Sequence, residues 1–256
     1  MYSKKHITKI SAPILLSLLA QNLIQVVDTA FLGRVGEVEL GASALAGIIY
    51  IAIYTLGFGF SMGSQILIGR RNGEKNYNQI GDIVIQGALF LFLPSLLLIP
   101  FLRYGSVHWL PAIFESAEVG RAVAEYLEWR VFGLVFAFIN LMFRAFFIGI
   151  ARTKILTLNA VIMGVVNVIF DYGLIFGNLG MPESGIGGAA IASVIAEFAS
   201  TLFFLFYLKK KVDLNKYGFI KIRFQFSVIK KTLSISIFMM IQYLFSVSTW
   251  MLFFLF

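Results

Sequence analysis

Two aspartates, Asp28 and Asp171, stand inside long apolar runs where an ionised side chain is costly, so each is a functional candidate. Asn167 precedes Asp171 by four residues, which puts its amide on the same helical face, and Asn159 lies two turns further in, before Asn167, on a nearby bearing. A carboxyl removed from water takes up a proton more readily. The same carboxylate beside amide oxygens holds a small hard cation such as sodium. Coupling to an ion gradient is the chemistry these four residues suggest; hydrogen-bonding between helices is the plainer alternative for the asparagines. Four other ionisable groups fall within or at the ends of apolar runs. Asp82 and Arg130 lie close enough to a run's end to reach headgroups or water, and Arg144, about a turn and a half from its end, reads as snorkelling. Glu197 sits nearer mid-span, where function and structural pairing both remain open.

The elements that must hold these groups are membrane helices. The 256 residues are 59% hydrophobic and 13% charged with mean hydropathy +0.87, whereas charged residues make up about a quarter of a soluble chain. That composition excludes a soluble globule and points to lipid as the surrounding solvent. Runs long enough to cross a bilayer core cover about 10–32, 42–68, 81–103, 126–150, 157–177 and 186–208, and a seventh begins near 232. None alternates with the period of two that a membrane β-barrel requires. An all-α integral membrane protein is expected. The first run exceeds a signal peptide's apolar stretch and lacks a small-residue cleavage site, so it is expected to remain as a helix.

Basic residues resist translocation, which gives an orientation. Lys4, Lys5 and Lys9, then Arg70, Arg71 and Lys75, then Arg152 and Lys154, then the cluster from Lys209 to Lys231 hold 16 of the 21 Lys and Arg, all in alternate connections. The amino terminus is therefore expected on the cytoplasmic side. Residues 1–208 read as one six-helix lobe, 209–231 as a basic cytoplasmic joint, and 232–256 as the first helix of something further. The last residues, Trp-Met-Leu-Phe-Phe-Leu-Phe, carry no polar exit from the bilayer, so the chain reads as a fragment.

Other chemistry is poorly supported. With no Cys and only His6 and His108, no thiolate nucleophile or histidine metal site is available, and neither the P-loop nor the zinc-protease signature occurs. Gly185-Ile-Gly187-Gly188-Ala189-Ala190 matches a dinucleotide fingerprint, but it opens a transmembrane run rather than following a strand. It is expected to give a tight outer loop and close packing at the start of the sixth run. The net charge of +8 is spread over the connections, which argues for a membrane surface and against nucleic acid. Gly59-x-x-x-Gly63 and Gly173-x-x-x-Gly177 have the spacing of close helix contacts. Pro13 is a potential flex point in the first run.

Pro13, the string Val27-Asp28-Thr29-Ala30-Phe31-Leu32-Gly33, Gly36, and Asn167-x-x-x-Asp171 followed by Gly177, Gly180, Gly185 and Gly188-Ala189-Ala190 resemble the multidrug and toxic compound extrusion (MATE) family, with the match nearest its DNA-damage-inducible-protein-F-like branch. The resemblance covers essentially the whole chain. It implies one six-helix lobe, plus one helix, of a twelve-helix transporter whose second lobe lies in a missing part of the chain. It further implies an antiporter in the inner (plasma) membrane that exchanges protons or sodium for amphipathic, often cationic, compounds by alternating access, with no organic cofactor. Asp28, Asn167 and Asp171 would form the cation site, for a proton or Na+, with Pro13 flexing the first helix. Asn159, Ser193 and Glu197 would be additional polar contacts, Ser193 being the first hydroxyl after Gly185. Two rivals are a lipid-linked oligosaccharide flippase of the same superfamily, whose cargo phosphates call for a basic cavity, and a membrane-embedded enzyme, for which no clustered catalytic set is apparent.

Overall fold

The structure, a computed structural model, describes residues 4–109, 113–114, 116–220 and 224–255, with side chains for residues 7–249 of these. Lys221 and Arg223 of the basic joint, the side chains of Lys4 and Lys5, and the closing side chains from Trp250 onward lie outside the described residues. The described residues form eight helices: α1 (Lys4–Val35), α2 (Glu37–Gly73), α3 (Ile80–His108), α4 (Ala117–Arg130), α5 (Gly133–Gly149), α6 (Lys154–Phe176), α7 (Gly185–Lys211) and α8 (Phe226–Leu255). Six are long and apolar enough to span a bilayer, and α4 with α5 makes a seventh span bent by 54°. The all-helical reading of the sequence thus stands, with one local correction.

The fourth span was expected as a single run from about residue 126. Instead α4 starts at Ala117, where Ser116 Oγ accepts from the backbone N–H of Val119 at 3.4 Å, a side-chain N-cap. It stops at Arg130. Neither proline nor an inserted residue causes the bend. The N–H groups of Phe132 and Leu134 reach back three residues, to Trp129 and Val131 at 3.3 and 3.2 Å, and this tightened turn redirects the axis. The ends of the Arg130 and Glu197 side chains occupy the space a methyl group on Gly133 would take, so a larger residue there would displace that pair.

Glycines also decide how α8 is held. A Cβ on Gly59 would strike the backbone of Met240, and one on Gly63 would strike Ser236. Without them α8 lies directly on α2, and Ser236 Oγ donates to the Phe60 carbonyl at 3.1 Å across the seam. The second glycine pair behaves differently from its helix-packing expectation. Gly173 faces Met181 in the following loop, and Gly177 adopts φ +69° as the left-handed cap of α6. The start of α7 does pack closely, since Gly188 rests on the Leu174 backbone.

The basic joint is shorter and better packed than its composition suggests. Helix α7 runs on to Lys211 and α8 begins at Phe226, before the expected 232. Between them Val212 and Tyr217 are buried in a core with Ile68, Phe146, Phe147 and Phe204. The Tyr217 carbonyl accepts from Gly81 N–H at 2.7 Å, and the Lys216 ammonium lies 4.3 Å from the Tyr77 ring centre. A second core, with Leu32, Val123, Ile175 and Ile186, closes the opposite end of the bundle. A polar cavity lies along α1, α2 and α4 to α7.

Candidate functional site

The cavity has a volume of about 290 Å³. Asp28, Asn159, Asn167, Ser193 and Glu197 all line it, so five residues singled out in the sequence face one space; Asp171 lies beside it. Helices α1 and α6 pack side by side, and the carboxyl groups of Asp28 and Asp171 meet across them within hydrogen-bonding reach. Asp171 is 0% and Asn167 1% exposed.

As ionised groups the two aspartates have no proton to give one another. Asp28 Oδ1, both Asp171 carboxylate oxygens, Asn167 Oδ1 and Asn159 Oδ1 are buried without a hydrogen-bond donor. Buried acceptors without donors are costly, and two carboxylates side by side repel as well. All these atoms are oxygens, the ligand type of a hard cation, and a single proton between the carboxyls would also join them. Their shared deficit is positive charge. Among the described residues no cluster of three or more His, Cys, Asp or Glu side chains has the form of a transition-metal site.

The remaining predicted contacts divide. Asn159 stands eight residues before Asn167, about 12 Å along α6, and its Nδ2 donates to Ser200 Oγ at 2.9 Å. Its role is therefore at the other end of the cavity from Asp28. Glu197 binds Arg130 through both oxygens, at 2.6 and 3.0 Å, and Tyr50 Oη donates to it at 3.3 Å. Its carbonyl accepts from Asn140 Nδ2 at 2.9 Å and from Thr201 Oγ1 at 3.0 Å.

Arg130 corrects the sequence reading. Its side chain is 12% exposed, held by Glu197 and stacked 3.8 Å from the Tyr50 ring centre, rather than anchored at an interface. The bend explains it: a straight helix from 126 would have left the residue near the membrane surface, whereas the broken pair turns it inward. Arg144 also lines the cavity rather than snorkelling outward, since α5 packs among α2, α3 and α7. Tyr50 and Tyr54, four residues apart on one face of α2, also line the cavity, and their rings stack at 6.4 Å.

Pro13 lies within α1, and the start of α6 holds the helix at Ile10 and at Pro13 itself. Thr153 Oγ1 donates to the Ile10 carbonyl and Thr157 Oγ1 to the Pro13 carbonyl, each at 2.8 Å. The α1–α6 seam is thus held by hydroxyls at one end and faces two carboxyls at the other, with Gly164 against Ile24 between them.

Such a molecule is a multi-pass helical membrane protein with a polar cavity inside a single bundle. The sequence profile of a family described as MatE matches residues 13–173, well over half of the chain. The chain belongs to that family, the multidrug and toxic compound extrusion family that its motifs resemble. Relatives include proteins named "Probable multidrug resistance protein NorM" from Synechocystis sp., 29% identical over 82% of this chain and 45% of theirs, and from Idiomarina loihiensis, 29% identical over 78% and 43%. The chain spans about half the length of the curated relatives it matches. The finer placement in the DNA-damage-inducible-protein-F-like branch is not confirmed by these relatives. Among solved structures, a MOP superfamily transporter from Pyrococcus furiosus superposes with TM-score 0.84 at 18% identity, over 94% of this chain and 53% of that one. A eukaryotic MATE transporter gives 0.79 at 20% identity, over 94% and 52%. These two carry the fold.

Proposed function

We propose that the chain forms one lobe of a secondary antiporter that exports amphipathic, often cationic, compounds in exchange for protons or sodium. The observation that carries this reading is the meeting of Asp28 and Asp171 beside Asn167, buried oxygens that lack positive charge at the edge of a ligand-sized cavity. A proton or sodium ion there removes the repulsion between the carboxyls and draws α1 against α6. When it leaves, the repelled outer part of α1 pivots about the Thr153 and Thr157 contacts at Ile10 and Pro13, and the cavity changes shape. Ion and cargo then exclude one another, which is the thermodynamic requirement for exchange. The reading includes an inner-membrane location with the amino terminus cytoplasmic and a second six-helix lobe. The basic connections and the half-length match to relatives support it. No bond-making step is required of any residue.

The test is gradient-driven export by full-length protein in membrane vesicles, comparing wild type with Asp28→Asn and Asp171→Asn at equal expression. Both substitutions keep the shape and remove the exchangeable charge. Loss of export in each is expected, and full transport by both overturns the proposal.

A further inference from the structure

Basic side chains crowd one stretch of the bundle's edge, where α6 begins and α7 ends. Arg152 and Lys154 stand at the start of α6, and Lys209, Lys210 and Lys211 close α7. Hydrogen bonds draw these segments together. Arg152 Nη1 donates to the Lys211 carbonyl at 3.2 Å, and Thr153, between Arg152 and Lys154, donates to the Ile10 carbonyl, which brings Lys9 alongside. All of these cations are exposed, and among the described residues none has an ion pair, whereas Arg70 and Arg71 at the end of α2 share Glu74 at 2.8 Å. The next acid along the chain, Asp213, accepts instead from the Lys216 backbone N–H at 3.0 Å. Helix stability does not account for the whole group: lysines at the end of α7 suit that helix's dipole, but Lys154 opens α6, where a cation opposes it.

Each of the two helices also carries an exposed apolar stripe that runs up to one of these cations. On α6, Leu158, Val161, Val165 and Ile169 follow Lys154 at spacings of four and three, so they share its face. On α7, Phe198, Leu202 and Leu205 lead to Lys209 by the same spacings. The helices pack side by side with both charged ends at one edge. From Leu158 to Ile169 is about 16 Å along the helix. That is close to half of a hydrocarbon core of about 30 Å, the reach of the acyl chains of one leaflet.

We propose that this edge of α6 and α7 is a docking site for an anionic phospholipid of the cytoplasmic leaflet, with its phosphate held by Arg152, Lys154 and Lys209 and its two chains lying on the two stripes. Charge and apolar length together select this occupant. A zwitterionic headgroup would bring an ammonium into a cluster of like charge, whereas a headgroup of net negative charge brings none. The inference takes from the reading above only the cytoplasmic side of these connections, so the export measured for the aspartate variants does not bear on it.

Native mass spectrometry of the full-length protein tests it, by titration with phosphatidylglycerol and with phosphatidylcholine bearing the same oleoyl chains. Wild type is expected to bind the anionic lipid about tenfold more tightly, the scale of one or two basic residues at a membrane surface. Arg152→Gln/Lys154→Gln/Lys209→Gln should lose that preference. Lys75→Gln/Lys230→Gln/Lys231→Gln removes the same charge from other cytoplasmic connections and should keep it. Should the first triple variant not fold, Lys154→Gln and Lys209→Gln singly should each lower the preference about threefold. Excess glycerol 3-phosphate, the anion without chains, should leave the lipid in place. No preference in wild type, equal loss in both triple variants, a preference unmoved by substitution at 152, 154 and 209, or displacement by glycerol 3-phosphate overturns the proposal.

Discussion

Replacing Glu197 by Met tests whether the Arg130–Glu197 pair holds the bend between α4 and α5. The side chains are 12% and 10% exposed, so solvent screens them little, and the contact has two hydrogen bonds of 2.6 and 3.0 Å. Removing one partner of a buried pair costs about 3–5 kcal/mol, chiefly because the other charge is left without a counter-charge. Part of that cost is specific to this site. Arg130 would still stack on Tyr50 but could not turn toward water without unmaking the bend. Removing both charges in Arg130→Met/Glu197→Met avoids the orphaned ion, so the double variant should be more stable than Glu197→Met alone. Detergent-unfolding midpoints for the wild type, both single variants and the double variant complete the cycle, with expected coupling of about 2 kcal/mol or more. Single effects that add to within about 0.5 kcal/mol would refute the assignment.

Asp171→Asn provides a donor to Asp28 and ends the repulsion between carboxylates, so it should raise thermal stability at neutral pH by about 1 kcal/mol while export is lost; a lower melting temperature contradicts this. Gly63→Ala forces a methyl group into Ser236 and should destabilise the α2–α8 seam by about 1–3 kcal/mol, measured as earlier protease cleavage near residue 225. Unchanged cleavage counts against the close contact. Thr153→Val with Thr157→Val removes both hydroxyl contacts to α1, each worth about 0.6 kcal/mol on average between membrane helices. Amide exchange in residues 10–20 should then quicken several-fold, and unaltered exchange would show that these bonds do not restrain the helix around Pro13.

The spans were legible because lipid imposes a length on apolar runs, and six of the seven expected ones have a single continuous helix as counterpart. The fourth was not legible as it stands. Helix α4 carries Glu118, Arg121, Glu125, Glu128 and Arg130, too polar for a run detected by hydropathy, and the turn at Val131–Phe132 uses no proline. Asp28, Asn167 and Asp171 were readable from depth and helical spacing alone. The cation between α4 and α7 was not, because Arg130 and Glu197 are 67 residues apart and meet only through the bend. Tyr50 and Tyr54 carried a weaker signal, aromatic residues at a spacing of four being common on lipid-facing helices. The closeness of α8 to α2 was encoded in Gly59 and Gly63, but nothing in that spacing names the partner helix.

The separation of Arg130 from Glu197 also has a meaning in time. At about 5–20 residues per second, the 67 residues between them take about 3–13 s to synthesise. Throughout that interval α4 and its arginine exist while the acid on α7 does not. The nascent arginine must therefore wait in a hydrated setting, at the headgroups or in the insertion channel, until α7 arrives. Interfacial anchoring thus describes a stage in the protein's birth rather than its finished state, and the bend at Val131 is completed only when the later helix is in place.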